Sequence, residues 1–264
     1  MATCMDFSAR EFTSFHDSIS RVLDDLDFQT VVGKQAKILI KPNCINSSPP
    51  PVTTPVECCE AIIRCIRDAS LDAHIVVGEG CGDSGRETFE VFCDLGYDRL
   101  ARQYDVELVD LNIEPLVALS RDDCRIFPEI YLPEVLFDHY VISVPVLKAH
   151  TLASLTGTIK NMMGAAPPEY YGGHGGGWKK AFFHNNMQES IIELNRYRTA
   201  DLSIVDGSVG LAQSHLGGPA CDPPVNKIFG GYDAVRVDQA CAEFLGLRGE
   251  KIAHIQESHS LSRN

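Results

Sequence analysis

The chain has 264 residues, of which 44% are hydrophobic and 22% charged, the make-up of a globular protein able to bury a large core. A formal net charge of −13 without any run of Lys and Arg argues against nucleic acid, and no apolar stretch reaches the roughly 18–20 residues that cross a membrane. No basic, apolar leader opens the sequence, so a cytoplasmic protein is expected.

Residues 7–26 place Phe12, Phe15, Ile19, Val22, Leu23 and Leu26 on one stripe, which predicts an amphipathic helix. A short apolar strand, 36–40, ends in Lys41-Pro42-Asn43, and 46–54, rich in Ser, Pro and Thr, reads as a loop. Thr54-Pro55-Val56-Glu57 combines an N-cap, a first-turn proline and a capping-box glutamate, so a helix is expected to about residue 69. The next strand, 74–77, runs into Gly78-Glu79-Gly80-Cys81-Gly82-Asp83. Those glycines permit a sharp turn or a close ligand, but their spacing fits neither a Walker loop nor the dinucleotide fingerprint. Ser84-Gly85-Arg86-Glu87 reads as a second capping box, opening a helix to about 95; 106–111 is a third strand, and 116–119 with 125–131 a hairpin.

The organising stretch is 145–164. Residues 139–144 are almost purely apolar, as in a strand buried on both faces, and Pro145 ends it. Leu152, Leu155, Ile159 and Met162 then recur at helical spacing, with Thr151 as cap and Gly164 where a left-handed C-cap belongs. Lys148, His150 and Thr151 would therefore sit on a strand-to-helix turn, whose free N–H groups and helix dipole favour an anion. After it, 165–186 holds a Gly-rich run with His174, Tyr170, Tyr171, Trp178, Lys179, Lys180 and His184, and suggests a flap. A helix over 187–197, a strand over 201–205 ending in Asp206-Gly207, the turn Gly217-Gly218-Pro219 and a helix over 235–245 capped by Asp233 complete the chain. Alternating strands and helices predict one α/β domain over 1–264: an open, mainly parallel sheet with helices on both faces, a hairpin insertion near 113–135 and the flap at 165–186.

Six short motifs keep a fixed order: Lys41-Pro42-Asn43; Lys148-Ala149-His150; Lys160-Asn161-Met162-Met163-Gly164; His184; Asp206-Gly207 with Gly217-Gly218-Pro219; and Gly231-Tyr232-Asp233-Ala234-Val235-Arg236-Val237-Asp238. Together they resemble the domain-of-unknown-function family numbered 362, over nearly the whole chain. Members of that family are sometimes fused to ferredoxin-like iron–sulfur segments, so the resemblance implies redox company and a ferredoxin-like partner. This chain has no such cysteine string.

Lys41, Asn43, Glu79, Lys148, His150 and Asp206 all fall at predicted C-terminal ends of strands, where one crevice can gather them. Lysines with a histidine suit a carboxylate or phosphate, and a histidine titrating near ~6.5 can move a proton at neutral pH. Lys41, Glu79, Lys148 and His150 are thus the candidate catalytic set; Asn43, Thr151, Lys160, Asn161, His184 and Asp206 are the candidate substrate-binding set. The expected function is that of an enzyme handling an anionic small molecule or cofactor by proton-coupled redox or isomerisation chemistry. The alternative is a metal- or cluster-binding protein without catalysis. Of the 10 cysteines, Cys58, Cys59, Cys65, Cys93 and Cys241 fall in predicted helices, whereas Cys44, Cys81 and Cys221 fall in loops and are the candidate ligands for an iron–sulfur cluster or zinc.

Overall fold

The computed structural model describes residues 5–258 except Leu71 and 174–176, so the expectation for His174 lies outside the described residues. Among the described residues eleven strands form: β1 (Phe7–Glu11), β2 (Lys37–Pro42), β3 (His74–Glu79), β4 (Glu107–Asp110), β5 (Leu116–Ser120), β6 (Glu129–Pro133), β7 (Tyr140–Val144), β8 (Val146–His150), β9 (Ser154–Thr156), β10 (Leu202–Leu211) and β11 (Lys227–Gly231). Nine of them make one sheet in the order β1-β11-β10-β7-β2-β3-β4, with β8 on β10 and β9 on β8; β5 and β6 make the expected separate hairpin. The pairs among β4, β3, β2, β7 and β10 are parallel, so the mainly parallel α/β sheet is as expected.

Successive strand residues point to opposite faces, and the core divides accordingly. Ile38, Ile40, Ile75, Val77 and Ile142 pack against the helices Phe15–Asp25, Val56–Ala69 and Tyr97–Tyr104. Leu39, Val76, Val141, Leu147 and Val205 pack against Met187–Tyr197 and Ala234–Phe244 on the other face. Among the described residues no helix is long and apolar enough to cross a membrane.

Several local expectations are corrected. Residues 7–26 are not one helix: β1 pairs antiparallel with β11, and the helix begins only at Phe15, where Ser14 Oγ accepts from Asp17 N. That pairing joins opposite ends of the chain, so no local stripe announces it, and the sequence reading places no strand over 227–231. Thr54 does not cap a helix; its hydroxyl donates to Val144 O at 2.7 Å and accepts from Asn43 N at 2.9 Å. The second capping box is built from Glu87 and Glu90 on the helix Thr88–Leu95, not from Ser84.

The largest correction is at the organising stretch. Pro145 redirects the strand instead of ending it: the chain leaves β7, pairs with β10 as β8, and turns back at once as β9. No helix starts at Thr151, and the helix-dipole argument for an anion there falls. The short helix Thr158–Asn161 comes later, and its free N–H groups are taken by Asp238, whose carboxylate accepts from Thr158 N at 2.7 Å and Ile159 N at 3.0 Å. Burial pushes the Asp238 acid up to about 7, against the pull of those two donors.

Segment 165–186 is not a bare flap. It carries the helix Pro168–Tyr171 and a 3₁₀ turn Ala181–Asn185, and it buries Tyr171, Lys180 and Phe183. Asp233 caps Ala234–Phe244 as expected, accepting from Val235 N and Arg236 N.

Asp238 thus ties the C-terminal helix to the segment that carries Lys160 and Asn161. Asp238→Ala should orphan two buried donors and destabilise the fold by about 2 kcal/mol. Urea denaturation measures this; an unchanged midpoint would count against the anchoring role.

Candidate functional site

The C-terminal ends of β2 and β3 bring Lys41 and Glu79 together in the interior. Lys41 Nζ lies 3.0 Å from both carboxylate oxygens, and the two side chains are 0% and 2% exposed. Two buried opposite charges need further partners to offset their lost hydration. Here Glu79 also accepts from the backbone N of Gly80 at 2.8 Å and of Cys44 at 3.2 Å. Asn161 completes the cluster: its amide donates to Lys41 O at 3.1 Å and Ser143 Oγ at 3.0 Å, while its Oδ1 faces Lys41 Nζ at 3.4 Å. Gly164 is not a left-handed cap. A Cβ there would overlap Glu79 Oε1 and Lys41 Nζ, so the glycine lets backbone close over the ion pair.

Above this pair is a cavity of about 190 Å³, lined among others by Asn43, Glu79, His150, Thr151, Lys160, Asn161, Trp178, Lys180, His184 and His215. Its lysines are held in different ways. Lys148, 1% exposed, donates to Asn43 Oδ1 and to Val52 O at 2.6 Å. It is therefore a buried strut beneath the wall, and not the rim lysine expected from the sequence. Lys180 reaches in from the 165–186 segment and donates to Asn112 Oδ1 at 2.6 Å and to Ala166 O. Lys160 lines the cavity half-buried. Burial lowers all three ammonium groups, Lys148 and Lys180 to about 7 and Lys160 to about 8, with Lys41 adding to the effect on Lys160 and Lys180 and Lys160 adding to that on Lys148.

His150 ends β8 with its ring nitrogen Nδ1 accepting from both Leu152 N and Ala153 N at 3.1 Å. Two donors on Nδ1 leave the ring proton on Nε2, so His150 presents an N–H donor and resists further protonation. Burial, then Lys160 and His215, bring its pKa to about 2. His215 stacks on it, ring centroids 3.8 Å apart, and is brought to about 3 by burial and Lys160. His184, exposed on its 3₁₀ turn, is lowered by burial and by Lys160. The cavity therefore holds neutral imidazoles beside cationic amines.

These motifs meet as one structure, and comparison with known proteins agrees. The family model for the domain of unknown function DUF362 matches residues 38–243, most of the chain. The chain belongs to DUF362. Its fold is similar to that of the lactate racemase apoprotein from Thermoanaerobacterium thermosaccharolyticum, with a TM-score of 0.56 and 14% identity over 89% of this chain and 56% of that one. This DUF362 chain thus spans just over half of that protein's length, and the likeness is one of fold. No curated protein matches it.

Of the residues expected from sequence, Asn43, Glu79, His150, Thr151, Lys160, Asn161 and His184 line the cavity, while Lys41 and Lys148 lie directly beneath its wall. Asp206 does not take part: it is buried on β10, accepts from Ser208 N at 2.9 Å, and lies outside the lining. The cysteine set is also corrected. Cys44 is enclosed in the core face that holds Cys59, Cys81 Sγ donates to Arg86 O at 3.2 Å, and Cys221 sits apart beside Gly210. Among the described residues no three His, Cys, Asp or Glu come together as a metal site. Sequence reading missed Lys180, Asn112 and His215, of which only His215, near the motif Gly217-Gly218-Pro219, offered a signal, whereas Trp178, from the expected flap, does line the cavity.

Two measurements follow from these electrostatics. Glu79→Gln strands a buried ammonium and should cost roughly 3–5 kcal/mol, read by thermal or urea unfolding; a loss under ~1 kcal/mol would mean the pair is not the keystone. The histidines work in the opposite sense from a stabilising cation. His150, His215 and His254, the last brought to about 3 by burial, all have folded pKa values below the unfolded value near ~6.5. The unfolded chain binds more protons between those limits, so stability should fall as pH drops below 6.5. A urea midpoint flat from pH 7 to pH 4.5 would contradict this.

Proposed function

We propose that this DUF362 chain binds a small carboxylate-bearing molecule in the cavity and moves a proton on it, an isomerisation of the racemase or tautomerase kind. The carrying observation is the juxtaposition of Lys160 and Lys180 with the donor-only His150 and the neutral His184 and His215 on one small cavity. Its volume of about 190 Å³ suits a compact organic acid.

Each group has a distinct part. The Lys160 ammonium takes the carboxylate, with Thr151 at the rim. His150, whose ring proton sits on Nε2, donates to the oxygen on which charge develops when a neighbouring C–H is removed. A neutral imidazole is a better donor here than an imidazolium, because it can stay bonded through the reaction without transferring its proton outright. His184, the least enclosed of the three histidines, exchanges the substrate proton with solvent. Trp178 forms part of the wall and limits water. The fold likeness to a protein named as a lactate racemase supports a small 2-substituted acid as the substrate type.

Binding should be linked to pH with a definite sign. An anion favours protonated lysines, so affinity for oxalate, a carboxylate that does not itself titrate above pH 5, should be greatest below pH 7 and fall as Lys180 and then Lys160, at about 7 and about 8, lose their protons. Trp178, the sole tryptophan, reports occupancy by fluorescence. For the chemistry, a panel of small 2-hydroxy and 2-keto acids is incubated in deuterium oxide and followed by proton NMR. Exchange of the carbon-2 hydrogen of a hydroxy acid, or of the carbon-3 hydrogens of a keto acid, lost in His184→Ala, is the expected outcome. Absence of exchange across the panel, with oxalate still bound, would remove the catalytic part of the reading.

A further inference from the structure

Four lysines cluster at and beneath the cavity, and three have their donors engaged: Lys41 with Glu79, Lys148 with Asn43 and Val52, Lys180 with Asn112 and Ala166. Lys160 differs. It faces the cavity, and among the described residues its Nζ makes no hydrogen bond and no ion pair. The nearby carboxylate, Glu79, is committed to Lys41. What otherwise faces Lys160 is cationic or neutral: Lys41, Lys148 and the imidazoles of His150, His184 and His215. An amine kept among like charges, half out of water and without a partner, gives up its proton readily and exposes a lone pair. Its pKa is about 8, so a substantial neutral fraction exists at neutral pH.

We propose that Lys160 is a covalent site, capturing the carbonyl of an aldehyde or ketone that carries a carboxylate. This rests on the reading of the cavity as a carboxylate site and adds a chemistry to it. The neutral amine's lone pair attacks the carbonyl carbon, a C–N bond forms, and the C=O π pair moves onto oxygen. Both amine hydrogens then depart with that oxygen as water, leaving C=N. The step consumes no oxidant or reductant. His150 Nε2–H faces the same cavity and can donate to the oxygen of the tetrahedral adduct. Once protonated, the imine carries the same positive charge as the ammonium it replaces, so the carboxylate keeps its counter-charge. In a keto acid with a carbon-3 hydrogen, that C–H, next to the captured carbon, becomes more acidic.

Glyoxylate, the smallest aldehyde with a carboxylate, is a suitable probe. The full chain is treated at pH 7.5 with glyoxylate and cyanoborohydride, digested, and mapped by mass spectrometry. Lys160 should gain its carboxymethyl group about tenfold faster than the exposed Lys34, because its cavity keeps a large share of the amine neutral and holds the carboxylate beside it, and oxalate should slow it. Lys160→Arg should lose the label at that position while the slow labelling of Lys34 is unchanged. Labelling of Lys160 no faster than Lys34 in the wild-type chain overturns the covalent site. Oxalate binding is read in the same samples: if it persists, only the imine falls, and if it is absent, the carboxylate reading falls with it.

Discussion

The buried ion pair of Lys41 and Glu79 is the constraint on which the rest of this DUF362 structure depends. Charges so fully withdrawn from water are costly unless every remaining lone pair and proton is satisfied. The chain meets that demand with groups drawn from distant motifs: backbone N–H groups of Cys44 and Gly80, the amide of Asn161, and a glycine at 164 whose missing Cβ admits the pair. The Lys41-Pro42-Asn43 and Lys160-to-Gly164 motifs are therefore two halves of one hydrogen-bonded cluster. Asp238, on the last long helix, fixes the second half in place.

From that cluster the character of the cavity follows. Glu79 is spent on Lys41, so the further amines nearby have no carboxylate of their own, and the cavity carries an excess of cation in a chain whose net charge is −13. The same excess works on the histidines, which are held neutral by burial and by Lys160. A region that is cationic, partly dry and furnished with neutral imidazoles favours an anion as ligand and makes proton movement on it accessible. Neither property belongs to a single residue. Each arises because the fold places amines at the ends of β2 and β8 and on the segments that follow β9 and precede the helix Met187–Tyr197.

How much of this the sequence disclosed depends on the range of the interaction. Lys41, Glu79, Lys148 and His150 were legible because a charged residue directly after an apolar strand has few bland explanations, and strand ends share one edge in a parallel sheet. Lys160 and Asn161 do end a short helix, Thr158–Asn161, but that consecutive helical residues part, one side chain into the cavity and the other onto the Lys41-Pro42-Asn43 motif, depends on how that helix packs in three dimensions. The β8–β9 excursion was hidden because Leu155, Ile159 and Met162 are buried whether their segment is helix or strand, and spacing alone does not separate the two. Lys180 and His215 lie in loops without a period, and only the motif Gly217-Gly218-Pro219 beside His215 hints at either. Asp206 was misjudged because the strand expected to end beside it runs on to Leu211, which leaves the residue inside β10, buried and outside the cavity lining.

The central claim, that this cavity is a carboxylate site built on Lys160 and His150, is tested most directly by a structure of the chain crystallised with oxalate. The account expects one carboxylate within hydrogen-bonding distance, roughly 2.7–3.2 Å, of both Lys160 Nζ and His150 Nε2, with the Lys41–Glu79 pair undisturbed beneath it. Oxalate bound only on the outer surface, or His150 turned so that Nε2 faces the backbone in place of Nδ1, would contradict it.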